Sequence, residues 1–287
     1  MPKICFGLNG FIFGQPWHDT IEKKTILDFA RRNEFDGAEL HEMYDRYDLN
    51  KADDVRKEYQ SYGLEIPAIQ VGSATRNSPA SNNPEIRKKY VETVKSMMEF
   101  GKAVGAKVAT GGLGRFVFGL KFDDMVRNGI ETFNEVAGIA EDLDMIYSLE
   151  PEPDQITNGG YFRTSLDVIQ EILDKVKSKN FQITYDYTQV NVLSGDPVGY
   201  LKALKGRVAW VHIADNDGFR TPFVGTAKHM AFGDGCLDID EITKTLKETC
   251  PHLEWLQIDV WESPTPFETA EKNKPILIDC LRRIGWK

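Results

Sequence analysis

The sequence predicts a (β/α)8 barrel that forms one domain over residues 1–287. Short apolar runs of strand length alternate with longer amphipathic runs of helix length from one end of the chain to the other. That alternation is typical of βαβ units and a parallel sheet. Eight runs of each kind occur, and 287 residues is an ordinary size for one α/β barrel. No Ser/Gly-rich linker or long block of charge divides the chain.

The predicted strands are short, apolar and bounded by glycine or polar residues. They cover residues 3–8, 37–40, 65–71, 107–110, 145–149, 181–185, 208–213 and 255–260. The amphipathic runs predict helices over residues 19–33, 52–62, 84–104, 122–143, 166–176, 197–204, 239–248 and 269–283. Counting alone would also fit an open doubly wound sheet. No G-x-G-x-x-G follows the first strand, which argues against a dinucleotide-binding version of that sheet.

Composition and charge narrow the class of protein. The chain has 35 basic and 44 acidic residues, a net charge of −9, and no Lys/Arg-rich run, which argues against a nucleic-acid partner. No run approaches the roughly 18 apolar residues of a membrane span. The four cysteines are scattered without a C-x-x-C pair. We therefore expect free thiols in a reducing cytoplasm and no role in a membrane.

The chemistry-bearing side chains gather where the later strands end. Strand five ends in SLEPEP, strand six in ITYDYTQ, strand seven in WVHIAD and strand eight in LQIDVWE. These ends carry Glu150 and Glu152, Asp186, His212, and Asp259 and Glu262. One carboxylate after a strand is commonly a helix cap or a solvated turn. Four consecutive strand ends of this kind instead indicate an active site, because catalytic groups of barrels lie at the C-terminal ends of strands.

The residue types at these ends suit a metal ion. Asp186 and Asp259 stand among apolar neighbours, where burial without a partner is costly and a shared cation would relieve the cost. Three carboxylates and one neutral imidazole suit one hard or borderline divalent ion, Mn²⁺ first, with Mg²⁺, Co²⁺ or Zn²⁺ as alternatives. Such donors carry a charge of about −3, so the loaded site stays slightly negative and suits a neutral polyol better than a highly charged substrate.

Five motifs in order carry a family resemblance. FDGAELHE, SLEPEP, YDYTQVNVLSGDP, WVHIADNDG and FGDGCLDIDEI resemble the xylose isomerase-like TIM-barrel superfamily, in the group of sugar phosphate isomerases and epimerases related to D-tagatose 3-epimerase and inosose dehydratase. The resemblance implies a divalent metal site at Glu150, Asp186, His212 and Asp259. It also implies that Glu150 and Asp259 act as the acid/base pair.

Two positions depart from the family pattern. Asp259 stands where relatives commonly have Glu, which shortens the reach by about 1.5 Å. This leaves open whether Asp259 or Glu262 is the second acid/base. Gln189 stands where relatives often carry a His, three residues after the strand-six Asp, and this suggests altered substrate contacts. We expect the substrate to meet Glu39, Glu152, Gln189 and His229.

The leading interpretation is a metal-dependent isomerase or epimerase of a sugar, ketose or cyclitol that works through an enediolate. A lyase on the same scaffold, such as an inosose-type dehydratase or a keto-glycoside elimination enzyme, shares the first step and stays open. An endonuclease of the endonuclease IV type needs several metal-binding histidines. The chain has five histidines and only one lies on a predicted ligand strand, which argues against that interpretation. A sugar-binding barrel without turnover is a further alternative. The expected partner is a small carbohydrate, and a homo-oligomer is left open.

Overall fold

The computed structural model describes residues 1–7, 21–41, 45–71, 77–114, 117, 119–152, 165–219, 227–261, 263 and 265–286. Eight strands close into a barrel in chain order. They are β1 (Lys3–Gly7), β2 (Gly37–His41), β3 (Ala68–Gln70), β4 (Val108–Gly112), β5 (Ile146–Glu150), β6 (Phe181–Asp186), β7 (Val208–Ile213) and β8 (Trp255–Ile258). Neighbouring strands are parallel, and β1 pairs with β8 to close the ring. This confirms the predicted single-domain (β/α)8 barrel and excludes the open sheet.

Helices connect the strands on the outside of the barrel. Within the described residues they are α1 (Lys23–Arg32), α2 (Ala52–Ser61), α3 (Pro84–Val104), α4 (Phe122–Asp142), α5 (Leu166–Lys175), α6 (Tyr187–Ser194), α7 (Pro197–Leu204), α8 (Ile239–Thr249) and α9 (Pro266–Arg283). All eight predicted helices are present, with ends that shift by a few residues. None of the described helices combines the length and apolar character that a membrane crossing requires.

Two elements differ from the sequence prediction for identifiable reasons. The third strand is shorter than residues 65–71, because Pro67 has no N–H to donate to the ladder. Glu65 keeps only an isolated parallel bridge to Gly37. Residues 187–194 form a helix, α6, that the prediction lacked. The carboxylate of Asp186 caps it by accepting from the backbone N–H of Thr188 and Gln189.

The larger apolar core lies between the strands and the helices. Aromatic rings fill much of it: Phe133 of α4 lies 5.3 Å from Phe181 of β6 between ring centroids, and Tyr147 of β5 stacks on Phe181 at 5.7 Å. These rings are fully buried. Burying an aromatic side chain contributes about 2–3 kcal/mol, so this layer holds the helices against the barrel and fixes where the strands end.

The inside of the barrel becomes polar toward the C-terminal ends of the strands. A small apolar cluster of Cys5, Ala68, Val108 and Trp210 occupies a lower layer. Next along the strands, Glu39 of β2 accepts hydrogen bonds from Thr110 of β4 at 3.0 Å and from Gln257 of β8 at 3.0 Å. Because these strands are not all neighbours, the bonds cross the barrel interior. The polar layer leads directly to the strand ends that carry the candidate site.

Candidate metal centre and active site

The four predicted donors meet at one end of the barrel. Glu150 is the last residue of β5, Asp186 is the last of β6, His212 lies in β7, and Asp259 directly follows β8. The pairing of β6 with β7 sets Asp186 beside His212. Since neighbouring parallel strands end at the same edge, residues distant in sequence are brought together here.

The carboxylates converge on one ring nitrogen. His212 Nδ1 lies 3.0 Å from Glu150 Oε1, 3.7 Å from Asp186 Oδ2 and 3.6 Å from Asp259 Oδ2. Both His212 and Asp186 are 1% exposed. The opposite ring nitrogen of His212, Nε2, is buried and has no hydrogen-bond partner among the residues that the structure describes. Its distance to Glu39 Oε2 is 4.0 Å.

Each aspartate has one oxygen held by the protein and one aimed at the cluster. Asp186 Oδ1 accepts from the backbone N–H of Thr188 and Gln189, at 2.7 and 3.0 Å, and from the hydroxyl of Thr188 at 2.7 Å. Asp259 Oδ1 accepts from the backbone N–H of Trp261 at 3.1 Å. The Oδ2 atoms of both aspartates face the imidazoles. This arrangement pre-orients the carboxylates before any ligand binds.

His229 joins the cluster from the long loop after β7. Its Nε2 lies 3.1 Å from Asp186 Oδ2, 3.5 Å from Asp259 Oδ2 and 3.1 Å from Thr188 Oγ1. It is 2% exposed. Gln189 does not reach the cluster in the same way: its Oε1 accepts from the backbone N–H of Ala227 at 3.2 Å. The second imidazole of the cluster therefore comes from the loop after β7, and Gln189 supports that loop.

The imidazoles and carboxylates shift one another's pKa values. Burial disfavours the imidazolium of His212, but Glu150, Asp186 and Asp259 outweigh it and hold its pKa well above the usual value. For His229, burial acts against Asp186 and Asp259, and the pKa rises to about 9. Burial opposes ionisation of Asp186, yet both histidines hold the pKa of that carboxyl well below its usual range. Positive charge on the two histidines therefore partly offsets the charge of the buried carboxylates.

Two further acids line the site. Burial raises the pKa of Glu39 to about 7, against the opposing charge of His212. Burial raises the pKa of Glu152 to about 8, and the charges of Glu150 and Asp186 add to the shift. A Cβ atom placed on Gly112 would lie 3.4 Å from Glu152 Oε1, so this carboxyl sits beside the end of β4. Glu262 lies outside the residues that the structure describes.

The donor set fits a divalent ion. Two overlapping groups, Glu150–Asp186–His212 and Asp186–His229–Asp259, each place three donor atoms within 4.8 Å of one another. Carboxylate oxygens and imidazole nitrogens are the donors that Mn²⁺, Co²⁺ and Zn²⁺ accept. Burying several ionised carboxylates around the same two nitrogens costs free energy unless positive charge is present. A cation at this point would supply that charge when the histidines are neutral.

The residues that hold this cluster in place were not predicted from the sequence. Asp215 is 1% exposed, and its carboxylate accepts hydrogen bonds from the backbone N–H groups of Asn216, Gly233, Gly235 and Leu237. It thereby fastens the loop that carries His229. The Asn-Asp-Gly and Gly-Asp-Gly runs in the two family motifs are the available signal, because such residues favour tight loops.

Comparisons with known proteins agree with the architecture. The family model described as xylose isomerase-like TIM barrel matches residues 27–276. A D-tagatose 3-epimerase-like protein is 21% identical with a TM-score of 0.78, over 99% of this chain and 98% of its own. The IolI protein with a bound zinc atom is 17% identical with a TM-score of 0.77, over 98% and 99%.

A dehydratase shares the same fold. The probable 3-DHS dehydratase AsbF from Bacillus anthracis is 15% identical with a TM-score of 0.73, over 96% of this chain and 98% of its own. No curated protein sequence matches the chain. The solved structures establish likeness of fold, and the family model covers most of the chain. The chain therefore belongs to the xylose isomerase-like TIM barrel family, as its ordered motifs predicted.

Proposed function

We propose that this protein is a divalent-metal-dependent isomerase or epimerase of a sugar, ketose or cyclitol, acting through an enediolate. The observation that carries the proposal is the convergence of Glu150, Asp186 and Asp259 on Nδ1 of His212 at the C-terminal end of the barrel. The fold is also that of a D-tagatose 3-epimerase-like protein. A small neutral carbohydrate suits this site, because three carboxylate donors leave it slightly negative even with a divalent ion bound.

Glu150, Asp186, His212 and Asp259 would hold the ion, and the three carboxylates favour Mn²⁺ among the divalent metals. A bound divalent ion supplies Lewis-acid polarisation of a substrate carbonyl and stabilises the charge of an enediolate. The protein's part is to hold those four donors rigidly. The backbone bonds to Oδ1 of Asp186 and of Asp259 do this for two of them.

Glu150 and Asp259 are the proposed acid/base pair. They come from β5 and β8, which flank β6 and β7 in the barrel, so they approach the cluster from opposite sides. One carboxylate can remove a proton next to the substrate carbonyl. Return of a proton to the other face of the same carbon gives epimerisation, and delivery to the adjacent carbon gives aldose–ketose exchange. Of the expected substrate contacts, Glu152 keeps that proposed role, whereas His229 lies among the candidate metal donors.

For two other expected substrate contacts we propose positioning roles. Glu39 is 1% exposed and its carboxylate is engaged by Thr110 and Gln257. Its Oε2 lies 4.0 Å from Nε2 of His212, which is beyond hydrogen-bond distance, so the proposed role is electrostatic: the carboxylate charge favours a proton on that nitrogen. Gln189 is engaged by the backbone of Ala227 and supports the loop of His229.

Metal content and solvent exchange test the function. We expect about one divalent ion per chain, strongly depleted in His212→Ala and retained in His252→Ala, whose ring contacts the backbone of Val208 instead. Turnover in D₂O should place deuterium on the carbon next to the carbonyl. Full metal occupancy in His212→Ala would refute the site, and turnover without solvent exchange would refute the proton-transfer route.

Elimination is the second candidate, because it shares the first step and a probable dehydratase has the same fold. In that case the enediolate expels a leaving group and does not recapture a proton. Incubating the enzyme with ketoses, inososes and 3-keto-glycosides and identifying the products separates the two reactions. A stereoisomer of equal mass indicates an isomerase or epimerase, whereas loss of water or of an aglycone indicates a lyase.

A further inference from the structure

His229 and His212 face the same two oxygens. Asp186 Oδ2 lies 3.1 Å from Nε2 of His229 and 3.7 Å from Nδ1 of His212. Asp259 Oδ2 lies 3.5 Å from the first nitrogen and 3.6 Å from the second. Both rings are at most 2% exposed. Two imidazole nitrogens therefore approach the same two aspartate oxygens, and the two donor groups that contain them share Asp186.

The contact of Nδ1 shows which ring nitrogen of His229 carries the hydrogen. Nδ1 of His229 lies 3.1 Å from the backbone oxygen of Ala227. A carbonyl oxygen accepts and never donates, so Nδ1 carries a hydrogen and donates it. In the neutral ring the lone pair is then on Nε2, the nitrogen that faces Asp186 and Asp259. Metal-binding histidines almost always donate their other N–H to such a carbonyl or carboxylate.

The loop holds His229 in a defined position. The residue that follows it, Met230, exchanges two backbone hydrogen bonds with Asp215, at 3.0 and 2.8 Å. The buried Asp215 carboxylate also accepts from Gly233, Gly235 and Leu237 farther along the loop. On the other side, Gln189 accepts from Ala227. His229 is thus fastened from both sides, as a metal donor must be.

We infer that His229, through Nε2, is a fifth protein donor to the ion held by Glu150, Asp186, His212 and Asp259. The inference rests on the proposed function and adds to it. A second imidazole makes the set less oxygen-rich and raises its preference for Zn²⁺ and Co²⁺ over Mn²⁺ and Mg²⁺. With five protein donors, a six-coordinate ion would have one position for a substrate oxygen.

Counting imidazoles around the ion tests this directly. X-ray absorption spectra of the Zn²⁺-loaded protein should show two imidazoles per zinc in the wild type and one in His229→Asn. Thr188→Val is the matched control, because its hydroxyl contacts both Asp186 and His229 but supplies no imidazole. Two imidazoles should persist in that variant. Circular dichroism of each variant checks that the fold is intact.

Affinity for two metals gives an independent readout. Loss of one imidazole should weaken Zn²⁺ binding in His229→Asn by at least tenfold more than it weakens Mn²⁺ binding, measured by chelator competition. Bound zinc with a single imidazole in the wild type would overturn this inference and leave the proposed function standing. A wild-type protein that binds neither metal would overturn both.

Discussion

The two halves of the barrel, β1–β4 and β5–β8, contribute different residues to the candidate site. β5 to β8 end in Glu150, Asp186, His212 and, directly after β8, Asp259. In the other half, β1 and β4 end in Gly7 and Gly112. A Cβ on Gly7 would lie 2.6 Å from Gln257 Nε2 and 3.4 Å from Asp259 Oδ1. The half formed by β5–β8 therefore carries the donors. In the other half, the absence of a side chain at Gly7 leaves space for Gln257 and Asp259.

The pKa of a buried histidine shifts in opposite directions in the two halves. His41 ends β2, where burial lowers its pKa to about 4. His212 is also buried, yet three carboxylates hold its pKa well above the usual value. The difference shows that burial alone does not decide the charge of an imidazole here. The carboxylates at the ends of β5, β6 and β8 do, and they make that half suited to cations.

The largest effects should come from the donor half. Glu150→Gln and Asp259→Asn should each lower turnover by about 10² to 10⁴-fold, because an amide neither accepts a proton nor donates one as an acid. Metal affinity should fall with turnover in both variants. Steady-state kinetics and metal analysis on the same samples measure the two losses.

Asp259 is the sharper of these two tests. If it is only a donor and Glu262 is the base, Glu262→Gln should lose turnover while its metal content stays normal. Near-normal turnover and metal content in Asp259→Asn would remove Asp259 from the site. We favour Asp259, because it directly follows a strand and strands position catalytic groups tightly.

The next effect belongs to His41 and concerns stability. A folded-state pKa of about 4 against an ordinary value of 6.5 means that folding favours the neutral ring. The contribution of His41 to the free energy of unfolding is fully present above pH 6.5. It is lost as the pH falls toward 4, and the loss is about 3 kcal/mol. Urea unfolding at pH 7.5, 5.5 and 4 should show a shallower decline in His41→Gln than in the wild type. Parallel declines would contradict the assignment.

A smaller effect tests the contact between the halves. Glu39→Gln should weaken metal binding by about tenfold to hundredfold, because the carboxylate facing Nε2 of His212 orients that ring. Nitrogen NMR of labelled His212 should show a changed balance of ring tautomers. Thr110→Val, which removes a bond to Glu39 but keeps its charge, should lose less affinity. Equal losses in both variants would assign Glu39 a packing role only.

The sequence predicted the donors better than their supports. Glu150, Asp186 and His212 could be placed together because parallel strands end at one edge of a barrel. His229 was expected to meet the substrate, but its contacts with Asp186 and Asp259 were not predicted, because a loop's course depends on distant contacts such as those of Asp215 with Gly233. The approach of Glu39 to His212 across the interior needs the closed ring of strands. The helix after Asp186 was not predicted, because residues 187–194 lack the amphipathic spacing of the other helices and bury four consecutive side chains.

The smallest effect probes the room that β1 leaves. Gly7→Ala would press against the amide of Gln257, which is fully buried and bonded to Glu39 and Trp210. Moving that amide should cost about 1 kcal/mol of unfolding free energy. Gly138→Ala is the matched control: Gly138 is exposed in α4 with nothing near its added methyl. Alanine there should add about 0.5–1 kcal/mol, because glycine is a poor helix former. Opposite signs in chemical denaturation would support the division between the halves, whereas a stabilised Gly7→Ala would show that β1 leaves more room than Gln257 needs.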